Sequence, residues 1–217
     1  MDALTGFKLR KTLHIETLYQ NYCFRIIQLN DSMFKALLKE KDLQRARLKF
    51  TLMENHLKPG QKILDLGTGS GALAELLRMH GFTVTGVDVD NKVTFGADPL
   101  IYDGKNIPFQ NRSFDGVLLI TVLHHCPHPE KVFEEAVRVA SDKVFVLEDV
   151  YDNQAMEFLT KAADSLVNFE FTGHPHSNKT VSGWESLFKK GGLQIIEKKS
   201  LRLMGIFKQQ WYVLSVK

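Results

Sequence analysis

The sequence predicts an α/β fold, in which a mostly parallel seven-stranded sheet is flanked by helices and preceded by an N-terminal helical cap. Two observations carry this prediction. Short apolar runs alternate with segments of helical periodicity through residues 58–217, a pattern typical of sheets whose strands are joined by helices on both faces. Residues 117–120 are apolar without interruption, as expected for a strand that is buried on both sides.

The N-terminal region, residues 1–57, is predicted to be the helical cap. Apolar residues recur at three- or four-residue steps over residues 12–57, as they do along one face of a helix. Residues 30–32, Asn-Asp-Ser, interrupt this pattern and offer an N-cap for a second helix. We expect the cap to form one wall of a substrate pocket. Binding to a membrane surface or to a partner protein is the alternative.

The main domain, residues 58–217, begins at Lys58-Pro59-Gly60, which is a turn signal. Apolar runs predict strands over residues 62–66, 83–87, 100–102, 114–120, 143–147, 194–198 and 210–216. Helical periodicity predicts helices over residues 72–80, 130–140, 153–168 and 182–190.

Composition limits the class of protein and its partners. The chain has 217 residues, 44% of them hydrophobic and 24% charged, which suits a globular protein. Its two cysteines, Cys23 and Cys126, fit neither a disulfide framework nor a zinc site. We therefore expect the protein to be located in the cytoplasm, which is reducing. We expect no signal peptide and no transmembrane segment. The net charge of +3 comes without a basic patch interleaved with aromatic residues, so no nucleic-acid partner is expected.

The most informative segment is the glycine turn, residues 67–71, which reads Gly-Thr-Gly-Ser-Gly and follows the first predicted strand. In open α/β sheets a ligand binds beyond the carboxyl ends of the strands. Glycines let the backbone turn sharply and approach a ligand without a Cβ in the way. The helix that follows presents its free N–H groups at the same place.

Two acidic residues distinguish the ligand of this turn. The G-x-G-x-G spacing differs from the G-x-G-x-x-G of dinucleotide-binding proteins. Asp65, just before the turn, would repel a pyrophosphate but suits a ligand with an ammonium and a sulfonium, as S-adenosylmethionine has. Asp88 ends the next strand, where a carboxylate accepts hydrogen bonds from ribose hydroxyls.

Four segments in order resemble the class I S-adenosylmethionine-dependent methyltransferases, in particular the type 11 group that acts on small molecules. They are the glycine turn with its two acidic residues, residues 102–117 with Asp103-Gly104, Leu123-His124-His125 with residues 129–139, and residues 184–193. The resemblance is strongest over residues 61–149. It implies a Rossmann-like fold, methyl transfer from S-adenosylmethionine and S-adenosylhomocysteine as product.

The resemblance also implies which residues bind the cofactor. They are Asp65, Gly67, Thr68, Gly69, Gly71, Asp88, Val89, Asp103, Gly104, Ile120 and Thr121. Asp65 would lie near the ammonium, Asp88 would hold the ribose, and Asp103 with the Gly104 backbone would face the adenine. Ile120 and Thr121 would lie under the sulfonium. The link between Asp88 and the third strand is short, so the usual second helix is expected to be missing or reduced to a turn.

The histidines after the fourth strand are the candidate catalytic residues. Methyl transfer needs alignment and exclusion of water, and a base only where the acceptor must lose a proton. His125 and His124 are the candidate bases, and Glu148 is an alternative on the substrate side or a helix cap. His174 and His176 are expected in a loop over the acceptor. The histidines are bunched too tightly for ordinary metal-ligand spacing, so we expect no metal.

The acceptor is expected to be a small molecule, apolar or lipid- or quinone-like. No Asn-Pro-Pro-Tyr-like run, which would suit a flipped base or an amide nitrogen, follows the fourth strand. Two rival functions stay open: a nicotinamide-dependent oxidoreductase, and a non-catalytic methyltransferase-like module that binds a partner through residues 12–57. The sequence leaves the acceptor atom and the oligomeric state open.

Overall fold

The structure, a computed structural model, describes residue 33 and residues 35–151, 177–203 and 207–216. The predicted helix over residues 153–168, the Asn-Asp-Ser interruption at residues 30–32, and His174 and His176 lie outside these residues. The chain divides into two compact units, Met1–Gln44 and Arg45–Lys217. The second unit contains the sheet and all the candidate site residues that the structure describes.

A seven-stranded sheet forms the second unit, as predicted. Its strands are β1 (Lys62–Leu66), β2 (Thr83–Asp88), β3 (Leu100–Ile101), β4 (Phe114–Ile120), β5 (Ala140–Val150), β6 (Gln194–Leu203) and β7 (Phe207–Ser215). They lie in the order β3-β2-β1-β4-β5-β7-β6. Strands β1 to β5 pair in parallel, and β7 is antiparallel to both β5 and β6. The chain reverses its direction across the sheet between β1 and β4, and ligands bind at such a switch point.

Four helices are described. Helix α1 covers residues 35–53 and continues into a single 3-10 turn at Glu54–His56. Helices α2 (Ala72–Met79), α3 (Pro129–Val139) and α4 (Val181–Lys190) accompany the sheet. Proline opens α3, where no backbone N–H is needed, and Thr180 caps α4 by accepting a hydrogen bond from Gly183 N. Among the described helices, none is long and apolar enough to cross a membrane.

Side chains of β5 alternate between two apolar cores, one on each face of the sheet. Val144 and Val146 pack with residues of α3 and α4, while Phe145 and Leu147 pack with residues of α1 and α2. The α1 side of this core includes Ala46 and Met53, both almost completely buried. The division between the two units falls after Gln44, and the boundary of the helical cap at residue 57 stays a prediction.

The antiparallel part of the sheet is longer than its apolar runs predict. Strand β5 extends from Ala140 to Val150 and pairs with β7 as far as Val150 and Lys208. The partner strand supplies ladder hydrogen bonds beyond the apolar run, so the polar residues Glu148 and Asp149 join β5. This extension carries both carboxylates to the carboxyl edge of the sheet.

The link from β2 to β3 contains no helix, which confirms the expectation from its length. Residues 89–99 form bends and irregular segments. Thr94 N and Phe95 N donate to Ser70 O over 2.9 and 3.1 Å. The link therefore folds back onto the glycine turn, and it packs there in place of the missing helix.

Candidate functional site

The glycine turn joins β1 to α2 with three left-handed residues. Gly67, Gly69 and Gly71 have φ angles of 74°, 53° and 78°, a region that favours glycine. A Cβ on Gly67 would overlap Cγ2 of Val122, and one on Gly71 would lie 2.5 Å from Phe95 O. A Cβ on Gly69 would meet nothing within 4 Å. Two of the glycines are therefore required by the packing of the chain, and only Gly69 faces open space.

Alanine substitution at Gly67 and at Gly69 should distinguish a glycine required by packing from one that faces open space. Gly67→Ala is expected to lower the free energy of unfolding by about 1–3 kcal/mol more than Gly69→Ala, because only the first adds a steric overlap. Both variants force alanine to a positive φ, so their difference isolates the overlap. Urea denaturation measures it. Equal losses in the two variants would contradict the assignment of Gly67 to packing.

Asp65 is a buried carboxylate directly before the turn. Its side chain is 3% exposed, and Thr68 Oγ1 donates to its Oδ2 over 2.8 Å. Burial raises the pKa of Asp65 above its ordinary value, while the Thr68 hydrogen bond and the charge of Lys49 act in the opposite direction. A desolvated carboxylate of this kind gains most from a ligand that brings a positive charge.

Asp88 ties the end of β2 to the glycine turn. Its Oδ2 accepts from Gly69 N over 2.9 Å, and its Oδ1 accepts from Val89 N over 2.7 Å. Each carboxylate oxygen has a second lone pair, so both can still accept from a hydroxyl of a ligand. Val89 is 59% exposed and provides an apolar surface beside Asp88.

Asp103 closes its own turn after β3. Its Oδ1 accepts from Lys105 N and Asn106 N, and its Oδ2 accepts from the Asn106 side chain. The Asn106 backbone and side-chain hydrogen bonds hold the pKa of Asp103 below its ordinary value. Gly104 follows with a φ of 73°. Three donors already occupy the carboxylate, and the contact of Asp103 with adenine stays a prediction.

The exit of β4 contains a strained residue. Ile120 is 7% exposed at the end of the strand, and Thr121 after it has a φ of 56° although it is not glycine. Such a residue persists only where its surroundings over-determine it. Here Thr121 N donates to Leu147 O over 2.6 Å, so β5 fixes the backbone at this point.

Glu148 of β5 holds the next part of this turn. Its Oε1 accepts from Val122 N over 3.0 Å and from Leu123 N over 2.7 Å, and its Oε2 lies 2.5 Å from His124 Nδ1. The side chains of Glu148 and His124 are completely buried. Sequence reasoning missed this arrangement because the partners come from two strands that only the fold brings together.

His125 is the more accessible of the two candidate bases. It ends the 3-10 turn Leu123–His125 and is half-buried. Its ring centroid lies 4.1 Å from that of His124, with 40° between the ring planes. His124 is enclosed beside Glu148, so a proton acceptor that must reach a ligand is better placed at His125.

Cys126 follows this turn as a neutral thiol. Burial raises its pKa to about 12, and its Sγ contacts Val122 O at 3.3 Å. Within the described ranges, no group of three or more His, Cys, Asp or Glu side chains could hold a metal ion.

A second segment, Ser177–Lys179, reaches the same edge of the sheet. Ser177 Oγ lies within 3.2 Å of the carbonyl oxygens of Leu123, His124 and Cys126, and Lys179 pairs with Val150 of β5. Asn178 between them is 7% exposed. Sequence reasoning missed both Ser177 and Asn178, because no local motif marks them.

Comparison with known proteins identifies relatives of this chain. A family model described as a methyltransferase domain matches residues 37–202. A sterol 24-C-methyltransferase from Gibberella zeae is 32% identical over 122 residues, covering 46% of this chain and 32% of that protein. A demethylmenaquinone methyltransferase from Thermotoga maritima is 32% identical over 139 residues, covering 56% and 61%. The chain thus spans less than two thirds of the length of either relative.

Solved structures share the fold. The magnesium protoporphyrin IX methyltransferase of Synechocystis, with bound SAH, superposes with a TM-score of 0.61 over 81% of this chain and 83% of that one. The two sequences are 15% identical, so the likeness concerns the fold alone.

Proposed function

Because the chain belongs to the methyltransferase domain family, we propose that it binds S-adenosylmethionine and transfers the methyl group to a small-molecule acceptor. The observation that carries this proposal is the buried carboxylate of Asp65 beside a glycine turn that is open at Gly69. This pair fits a ligand that brings an ammonium group close to the backbone. Asp88, one strand away, keeps acceptor capacity for ribose hydroxyls.

The charge at this edge disfavours the oxidoreductase alternative. Asp65 and Asp88 both lie at the carboxyl ends of neighbouring strands. A pyrophosphate at the glycine turn would meet the desolvated carboxylate of Asp65, and like charges repel strongly where water is excluded. A cationic ligand would be attracted by the same carboxylate.

Different residues of the chain bind the cofactor, position the reacting groups and accept a proton. The chemistry that S-adenosylmethionine supplies when bound is a methyl group on a sulfonium, which is a good leaving group. Asp65 and Asp88 bind and orient it from two sides. The turn after β4, held by Glu148, presents Ile120 and Thr121 where the methyl group would be transferred. His125 takes a proton from the acceptor where the acceptor is a hydroxyl.

The acceptor proposed is an apolar molecule, lipid- or quinone-like, with a polar reactive group. The names of two relatives support this class, since one names a sterol and the other demethylmenaquinone. Among the described residues, the exposed apolar side chains include Met33 and Leu37 on the N-terminal unit, at helical spacing. That face supports an apolar ligand or a membrane surface as a partner of the N-terminal unit.

Replacing the proposed base should slow turnover and spare cofactor binding. His125→Gln is expected to lower kcat about 10²- to 10⁴-fold with a quinol acceptor, since general-base catalysis contributes that much. The measurements are release of S-adenosylhomocysteine from the methyl donor, with a demethylnaphthoquinol and a sterol as acceptors, and calorimetric affinity for S-adenosylhomocysteine. His128→Gln, on an exposed residue three positions later, is the matched control and should keep the wild-type rate.

Two outcomes would contradict this part of the proposal. An unchanged kcat in His125→Gln would show that His125 is not the general base. Tight binding of S-adenosylhomocysteine by a wild-type protein that methylates no acceptor would favour the non-catalytic module.

A further inference from the structure

Asn178 carries a buried amide whose oxygen and nitrogen are both unmatched among the described residues. The residue is 7% exposed, and within the described part of the chain neither its Oδ1 nor its Nδ2 has a hydrogen-bond partner. A primary amide can donate two hydrogen bonds and accept two. Burying it without partners disfavours folding, and a group of this kind in a native protein calls for an explanation.

Its neighbours place Asn178 at the edge where the acceptor would bind. Ser177 N donates to His124 O over 2.8 Å, and Lys179 pairs with Val150 at the end of β5. Asn178 therefore lies between the turn that carries the candidate bases and the carboxyl end of β5. This is the edge of the sheet that also holds Ile120 at the end of β4.

The side chain of Lys179, the residue after Asn178, points to one face of the sheet. Lys179 Nζ contacts Glu130 Oε1 at 3.1 Å and lies 5.7 Å from the ring centroid of Trp184, so it points to the face covered by α3 and α4. Consecutive side chains of a strand point to opposite faces. Lys179 pairs with β5 as a strand residue does, and if this alternation extends to the preceding residue, the Asn178 side chain is directed away from α3 and α4.

We propose that Asn178 binds the methyl acceptor, and that the acceptor brings to it two adjacent oxygen substituents, at least one of them a hydroxyl, on an otherwise apolar body. This inference rests on the proposed function. One oxygen accepts from Nδ2 while the hydroxyl donates to Oδ1, so both unmatched atoms are satisfied together. A carboxylate could accept from Nδ2 but has no hydrogen to donate to Oδ1, and it would meet the carboxylates of Glu148 and Asp149, which both face His124.

The first test uses the ligand-free protein. Asn178→Leu is close in volume and removes both unmatched polar atoms, so its Tm is expected to rise by about 2–4 °C. Ser177→Ala is the matched control on the neighbouring residue. Its hydroxyl contacts three carbonyl oxygens, so its Tm is expected to fall. If Asn178→Leu lowers the Tm as Ser177→Ala does, the amide is already satisfied and the proposal is overturned.

The second test measures binding with 2,3-dihydroxynaphthalene and naphthalene as probes, by calorimetry on protein saturated with S-adenosylhomocysteine. Wild-type protein is expected to bind the diol about tenfold more tightly than the hydrocarbon, and Asn178→Leu is expected to lose this preference. Affinity for S-adenosylhomocysteine should be equal in both proteins. Absent or unchanged preference for the diol overturns the role of Asn178 alone. Absent binding of S-adenosylhomocysteine by the wild type instead overturns the proposed function.

Discussion

Replacement of Glu148 by alanine is expected to lower the free energy of unfolding by about 3–5 kcal/mol, as removal of a buried acceptor that holds several donors does. The loss arises because three donors, Val122 N, Leu123 N and His124 Nδ1, lose their acceptor inside the protein. Urea denaturation measures the change. The strained φ of Thr121 is next to these residues, so the turn is expected to lose its shape along with its hydrogen bonds.

A half-buried glutamate near the surface, Glu185, gives the control for this variant. Glu185 pairs with Lys198 over 3.0 Å near the surface, and Glu185→Ala is expected to cost less than about 1 kcal/mol. A similarly small loss in Glu148→Ala would show that the carboxylate does not hold the turn after β4.

Asparagine at position 65 is expected to weaken S-adenosylhomocysteine binding about 10- to 100-fold, the contribution of a hydrogen bond to a charged group. The ligand-free protein should not be destabilised, because Asp65→Asn removes a charge that burial disfavours. Calorimetry measures the affinity and urea denaturation the stability. A variant that keeps wild-type affinity would contradict the placement of the ammonium beside Asp65.

The same residue predicts a pH dependence with a definite sign. The pKa of Asp65 is raised in the folded protein, so its stabilising contribution is present below the unfolded-state pKa and is lost as pH rises through the folded-state pKa. Binding of a cationic ammonium has the opposite dependence, because it needs the ionised carboxylate. Affinity for S-adenosylhomocysteine should therefore fall as pH falls through the raised pKa. Asp65→Asn should remove this part of the dependence.

The sequence predicted most of the fold because strong local signals mark the parallel strands. The apolar run of β4 and the glycine turn after β1 gave bounds close to those observed. Strand β5 was predicted too short, because its last residues are polar and are held by pairing with β7. Pairing between distant segments leaves no local periodicity to read.

The candidate site was only partly predictable for the same reason. Asp65 and Asp88 are marked by their positions at strand ends, and the fold brings them to neighbouring strands. The contacts of Glu148 with the turn after β4 depend on strand order. Asn178 and Ser177 reach the site from a distant segment with no motif of its own. The packing role of Gly67 could not be predicted either, because Val122, which a Cβ on Gly67 would overlap, follows a different strand, β4.

Calorimetric titration of the wild-type protein with S-adenosylhomocysteine and, separately, with NADH tests the central claim most directly. A carboxylate buried beside an open glycine turn predicts saturable binding of S-adenosylhomocysteine and no detectable binding of NADH. Tight binding of NADH without binding of S-adenosylhomocysteine would contradict the assignment of this edge of the sheet to a methyl donor.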